Sequence, residues 1–141
     1  MLKTAKQSIE RFKGKLKWIF RRARGRSIDA TIKDLHPVLT GWINYFKLSS
    51  VTGILKELDG WIRRRFRCIL WLQWKRPHRR AVNLMKLGLS EENAWKTATN
   101  GRGSWWNSGS QWLNMALPKK YFDDLGLISL FSKWYACHSS S

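Results

Sequence analysis

The stretch ILKELDGWIRRRFRCILWLQW, residues 54–74, followed by KRPHRR over residues 75–80, decides the fold. Ile54, Leu58, Trp61, Ile62, Ile69 and Leu72 recur at helical spacings, which marks one apolar face. That period predicts a long helix from about Ile54 to Trp74, with Ser49, Ser50 and Thr52 as cap candidates. Inside it, Arg63, Arg64, Arg65 and Arg67 fall within about one and a half turns, so they do not share one face. Lys75, Arg76, Arg79 and Arg80 carry the positive charge past the helix end, where cations also suit the helix dipole. A planar guanidinium binds two phosphate oxygens at once, so this densest basic cluster points to a phosphate partner. The competing reading is a surface helix with surplus arginine.

The same period runs upstream. Ile9, Phe12, Leu16, Ile19, Phe20 and Ala23 mark a helix from about Thr4 to Ala23. Lys13, Lys17, Arg21 and Arg24 repeat along it as a basic stripe, with Arg22 and Arg26 alongside. Like charges at i,i+4 repel by roughly a few tenths of a kcal/mol per pair. The stripe is therefore either a seat for an outside anion or a solvated face. Gly25 reads as a helix stop and Ser27 as an N-cap. His36-Pro37 interrupts the apolar series of Ile28, Ile32 and Leu35, so Pro37 is expected at the first position of a new helix. That helix carries Leu39, Trp42, Ile43 and Phe46, and Gly41 is expected to admit a neighbouring helix.

Downstream the pieces are short. Ala81–Leu87 reads as a helix stopped at Gly88, and Ser90-Glu91-Glu92 opens another that turns Ala94, Trp95 and Ala98 inward. Trp105 and Trp106 stand in a Gly/Ser loop and are candidates for base stacking. Ser110 leads into a helix with Leu113 and Ala116, Pro118 starts the next, and Gly126 ends it. Leu127, Leu130, Phe131 and Trp134 belong to the last. Strand-type alternation is nowhere sustained. The expected fold is all-α, a helical bundle followed by a cluster of shorter helices.

Composition narrows the function. The chain has 141 residues, 27 Lys+Arg against 9 Asp+Glu, and a net charge of +18. Its 43% hydrophobic residues and ten tryptophans exclude a disordered basic tail, which lacks the large side chains that offset ordering entropy. The length suits one domain or two small lobes. Residues 1–80 hold 21 basic and 5 acidic residues, whereas residues 81–141 hold 6 and 4. The expected organisation is therefore a basic half over 1–80, a Trp-rich half over 81–138 and a tail at 139–141. Cys68 and Cys137 are too few for a disulfide framework or a zinc cluster. No apolar run approaches the roughly 20 residues that span a bilayer, and the Lys-rich start lacks the apolar segment of a secretory signal. The expectation is a protein of the cell interior, without a membrane and without a cofactor or metal. Its oligomeric state is left open. His36, His78 and His138 are isolated, and no nucleophile or phosphate-loop motif accompanies them, so no catalytic residue is assigned.

Several stretches together resemble group II intron-encoded proteins. Leu35-His36-Pro37-Val38-Leu39-Thr40-Gly41-Trp42-Ile43-Asn44-Tyr45-Phe46 resembles their LNPxLRGWxNYF element, with His36 and Thr40 departing from it. Leu58-Asp59-Gly60-Trp61-Ile62-Arg63-Arg64-Arg65 resembles their LDxWIRRR helix. Trp71 to Pro77, Leu84 to Gly88, Gly103 to Ser110 and Gly126 to Leu130 continue in the same order. The resemblance spans about residues 8–136 and is to the thumb and maturase-specific region, domain X, of group II intron reverse transcriptases. It implies a helical module that grips structured intron RNA and assists splicing. It further implies the thumb of a reverse transcriptase whose palm is a separate chain as a second reading; a general basic nucleic-acid-binding protein is a third. Tyr121-Phe122-Asp123-Asp124 spells the family's Tyr-x-Asp-Asp polymerase motif, but after the thumb-like half and in a helical pattern. No polymerase activity is expected from it. The residues expected at the RNA are Lys13, Lys17, Arg21, Arg22, Arg24, Arg26, Arg63, Arg64, Arg65, Arg67, Lys75, Arg76, Arg79 and Arg80.

Overall fold

The computed structural model describes residues 2–46 and 52–139. Among them are nine α-helices and no strand, so the fold is all-α. They are α1 (Leu2–Arg22), α2 (Ile28–Phe46), α3 (Thr52–Trp74), α4 (Pro77–Lys86), α5 (Glu91–Ala98), α6 (Ser104–Ser108), α7 (Gln111–Ala116), α8 (Lys119–Asp124) and α9 (Leu130–Ser139). Two compact units form, Met1–Lys56 with Ile128–Ser141, and Glu57–Leu127, and the division passes through α3. Ser49 and Ser50, proposed caps of α3, lie outside the described residues, as do residues 140–141 and the side chain of Thr52.

In the first unit α1 packs on α2, and α2 on α9. Phe12, Leu16 and Phe20 of α1 and Ile32, Leu35 and Leu39 of α2 are buried, each contributing about 1.5–3 kcal/mol by removing an apolar side chain from water. Ser27 caps α2 as its sequence suggests: Oγ accepts from the Ala30 N–H at 3.2 Å. The break expected at His36-Pro37 does not occur. Pro37 lies inside α2, although it removes one backbone hydrogen bond. Leu35, Leu39 and Ile43 fall on one buried stripe across it, and their burial outweighs the local defect. Gly41 admits no helix either, since a Cβ there would meet no atom within 4 Å.

The second unit is built on α3. Leu58, Ile62 and Phe66 are buried with Leu84, Leu113, Leu117 and Phe122, and the Phe66 and Phe122 rings lie 5.8 Å apart. Leu72, expected inside, is exposed, whereas Phe66 in the middle of the arginine run is fully buried. Ser90 and Ser110 cap α5 and α7, accepting from the Asn93 and Leu113 N–H groups. Gly88 and Gly126, at φ 109° and 95°, end α4 and α8. In both, the next residue's N–H returns to the carbonyl five positions back, Leu89 to Leu84 and Leu127 to Phe122, which satisfies orphan carbonyls.

The end of α3 lacks such a glycine. Lys75 takes the left-handed conformation instead, at φ 63°. α4 begins at Pro77, earlier than its apolar residues suggest, because proline's missing N–H costs nothing in a first turn. Arg80 of α4 then reaches back: its Nε donates to the Trp71 carbonyl at 3.0 Å and its guanidinium lies 4.6 Å from the Trp71 ring.

Candidate nucleic-acid interface

At 100° per residue, the buried stripe of α1 (Phe12, Leu16, Ile19, Phe20, Ala23) has a cationic edge about 110° away on each side. One edge is the expected series, with Lys17 and Arg21 exposed and Lys13 half-buried. The Arg24 side chain lies outside the described residues. The other edge is Arg11, Lys15, Trp18 and Arg22, at spacings of four, three and four. There the Arg22 guanidinium lies 5.1 Å from the ring of exposed Trp18. Arg11, Lys15 and Trp18 were not singled out by sequence reading, which followed one basic series and took tryptophan as core. Arg26 is tied to Asp34 at 3.1 Å.

The arginines of α3 divide by role. Arg67 is 5% exposed. Its Nε donates to the Leu117 carbonyl at 2.8 Å, and its guanidinium lies 5.6 Å from the Phe122 ring. Burial, and then the charge of Arg63 one turn away, pushes its pKa down to about 10, so it stays charged at neutral pH. Its expected place at a phosphate is not what this geometry offers: the group is spent inside the unit.

Arg64 is a clamp. Nη2 donates to the Trp105 carbonyl at 2.7 Å, Nε donates to Ser108 Oγ at 3.3 Å, and Cζ stands 3.8 Å from the Trp105 ring centre. A Cβ on residue 109 would come within 2.8 Å of Arg64 Cζ, so a larger residue there would displace the guanidinium. Arg65 lies 5.6 Å from the Trp61 ring and 5.8 Å from that of Trp105. Arg63 is half-buried beside them. Burial also lowers the Arg80 pKa, and its helix-capping contact engages the group.

Lys75, Arg76 and Arg79 are exposed and do come together. With Gln73, Trp74 and His78 they line a recess of about 440 Å³ where α3 gives way to α4.

Trp105 and Trp106 are both exposed, at 41% and 46%. Arg64 covers Trp105, and Arg102 stands 4.6 Å from the Trp106 ring. Both stand in α6 rather than in the loop expected from the sequence, and the turn that leads into α6 is held by buried Asn107 with exposed Asn100. Asn107 Nδ2 donates to Asn100 Oδ1 at 3.1 Å and to the Gly103 carbonyl at 2.8 Å, while its Oδ1 accepts from Asn100 Nδ2 at 2.8 Å. Gly101 and Gly103 take φ 70° and 87° to make that turn.

Tyr121-Phe122-Asp123-Asp124 lies in α8. Phe122 is buried, and Asp123 and Asp124 pair with Lys119 and Lys120 at 2.6 and 2.8 Å, one turn back on the same helix. Among the described residues no group of His, Cys, Asp and Glu is arranged to hold a metal. No helix among them is long and apolar enough to cross a membrane.

The model of the family described as "Group II intron, maturase-specific domain" matches residues 9–88. No curated protein matches the chain. The matched residues include α2, α3 and α4, and with them the arginine run, the Lys75–Arg79 recess and the Gly41-Trp42 element. A maturase-specific domain is not itself a catalytic domain. Matched over more than half its length, on those elements, the chain belongs to the group II intron maturase-specific domain family and has a maturase-type role.

Proposed function

We propose that this protein binds structured group II intron RNA and assists its splicing without polymerase activity of its own, inside the cell. The observation that carries the reading is the cluster of exposed Lys75, Arg76 and Arg79 around one recess, inside the segment that matches the family. Lys17, Arg21 and Arg22 of α1 add exposed cations. Phosphate neutralisation by such groups releases counterions, so affinity falls with salt by about 0.7–0.9 in log–log slope for each contact. Sequence enters through unstacked bases, which exposed Trp105 and Trp106 are suited to hold.

The test is filter binding of a group II intron RNA over a salt series, with duplex DNA as competitor. Arg76→Ala with Arg79→Ala is the variant of choice, because Arg64, Arg67 and Arg80 have structural duties. We expect weaker binding and a slope flatter by about 0.7–0.9 per lost contact. An unchanged affinity and slope, or displacement of intron RNA by an equal concentration of duplex DNA, overturns the reading.

A further inference from the structure

A second recess, of about 210 Å³, opens in the first unit between Lys15 of α1 and Pro37, Val38, Gly41, Trp42 and Tyr45 of α2. Proline and glycine are the two poorest helix formers. α2 carries one of each in its interior, and both line this recess. The core does not require Gly41: a Cβ there would meet no atom within 4 Å and would stand in the open space. Residues that break a local rule without a packing reason point to function.

The wall is aromatic and fixed. The Trp42 ring lies 4.9 Å from that of Phe12 and meets Tyr45 edge-on at 5.2 Å. The Tyr45 hydroxyl is 3.1 Å from Ser8 Oγ, while more than half of the side chain is exposed. Exposed Lys15 stands at the rim, in line with Arg11, Trp18 and Arg22 on the same edge of α1. The volume falls below the about 300–1,000 Å³ of pockets that hold drug-sized ligands, so it suits one planar ring system rather than a whole nucleotide.

From this we infer that the recess between α1 and α2 receives one unpaired RNA base against Trp42 and Tyr45, with the adjoining phosphate at Lys15. The charge of the surroundings favours this occupant over a protein side chain, since Arg11, Lys15 and Arg22 supply cations along one edge. The inference rests on the RNA-binding reading, and it adds a second base site, remote in sequence from Trp105 and Trp106.

The test uses the full chain, labelled with nitrogen-15. The Gly41 amide and Trp42 indole signals are followed by NMR against ribonucleoside 5′-monophosphates, with ribose 5-phosphate as the base-free control. Nucleotides should move both signals and ribose 5-phosphate should not. Gly41→Leu fills the recess with a better helix former, so the protein should fold, as circular dichroism will check. It should lose the nucleotide response and bind intron RNA about 5- to 150-fold more weakly, the range for one stacked base. Lys15→Ala, at an exposed position, should weaken nucleoside monophosphates more than nucleosides.

Equal shifts with ribose 5-phosphate, or a Gly41→Leu protein with wild-type responses, overturn the inference. So does a Gly41 signal that moves only with a reverse transcriptase palm polypeptide. A wild-type chain that binds no intron RNA defeats the proposed function instead, and the nucleotide titration still decides the recess.

Discussion

Replacing Asn107 tests how α6, which carries Trp105 and Trp106, is held on the turn before it. The side chain is fully buried and makes three hydrogen bonds, two with Asn100 and one to the Gly103 carbonyl. Each net bond contributes about 0.5–1.5 kcal/mol. Asn100 is exposed and regains water when its partner is lost, which puts Asn107→Ala at about 2–3 kcal/mol. Asn107→Asp is the sharper probe, because it is nearly isosteric. Its carboxylate still accepts from Asn100 Nδ2, but it has no hydrogen to give to the Gly103 carbonyl or Asn100 Oδ1. A buried charge would then face two acceptors, so Asp should cost more than Ala despite its better shape. Urea unfolding at neutral pH, followed by circular dichroism, measures both, and amide exchange of residues 100–108 localises the change. Asn107→Asp as stable as the wild type, or Asn107→Ala costing under about 1 kcal/mol, would refute the account of this turn, since neither value is compatible with three hydrogen bonds made by a fully buried side chain.

Arg67→Met should be near neutral or stabilising by up to about 2 kcal/mol in urea unfolding: removing the charge returns about 3 kcal/mol, since one pKa unit is 1.36 kcal/mol, while the unpaired Leu117 carbonyl costs about 1–3. Because its folded pKa of about 10 lies below the ordinary guanidinium value, the unfolded chain holds this proton more tightly. The penalty is therefore constant below about pH 10 and relieved only as pH rises beyond it, so the stability difference between wild type and Arg67→Met should be flat from pH 6 to 9. A slope there contradicts the assignment. Lys75→Gly should stabilise by about 1 kcal/mol by relieving the left-handed conformation. It should at the same time weaken intron RNA, and thermal unfolding with filter binding checks the opposite signs. Asp123→Ala with Asp124→Ala breaks two exposed one-turn ion pairs, which solvent screens. It should leave RNA affinity undiminished, and a large loss would return these aspartates to the functional site.

The helices of this chain were legible because helical period, capping serines and stop glycines are local. Ser27, Ser90 and Ser110 cap where their positions suggest, and Gly88 and Gly126 terminate by the conformation that only glycine takes cheaply. Pro37 misled because a proline's cost is local whereas the burial of Leu35, Leu39 and Ile43 is not. The order of motifs resembling domain X was also in the sequence, and the family match agrees with those that lie within residues 9–88. The period of a helix assigns each residue an angle but not a neighbour.

That is why the arginine run could not be resolved by itself. Sequence alone determined that four guanidiniums stand within about one and a half turns and that the chain carries a net charge of +18. Only the tertiary structure decided that Arg67 is enclosed at the Leu117 carbonyl, that Arg64 clamps α6 at Trp105 and that Arg80 caps α3. It also decided that Lys75, Arg76 and Arg79 remain exposed around one recess, and that Gly41 opens onto another. The charge of a guanidinium is set by its own chemistry, but whether Arg64 and Arg67 meet water or a carbonyl depends on segments 41 and 50 residues away, which burial brings to them and local pattern does not encode.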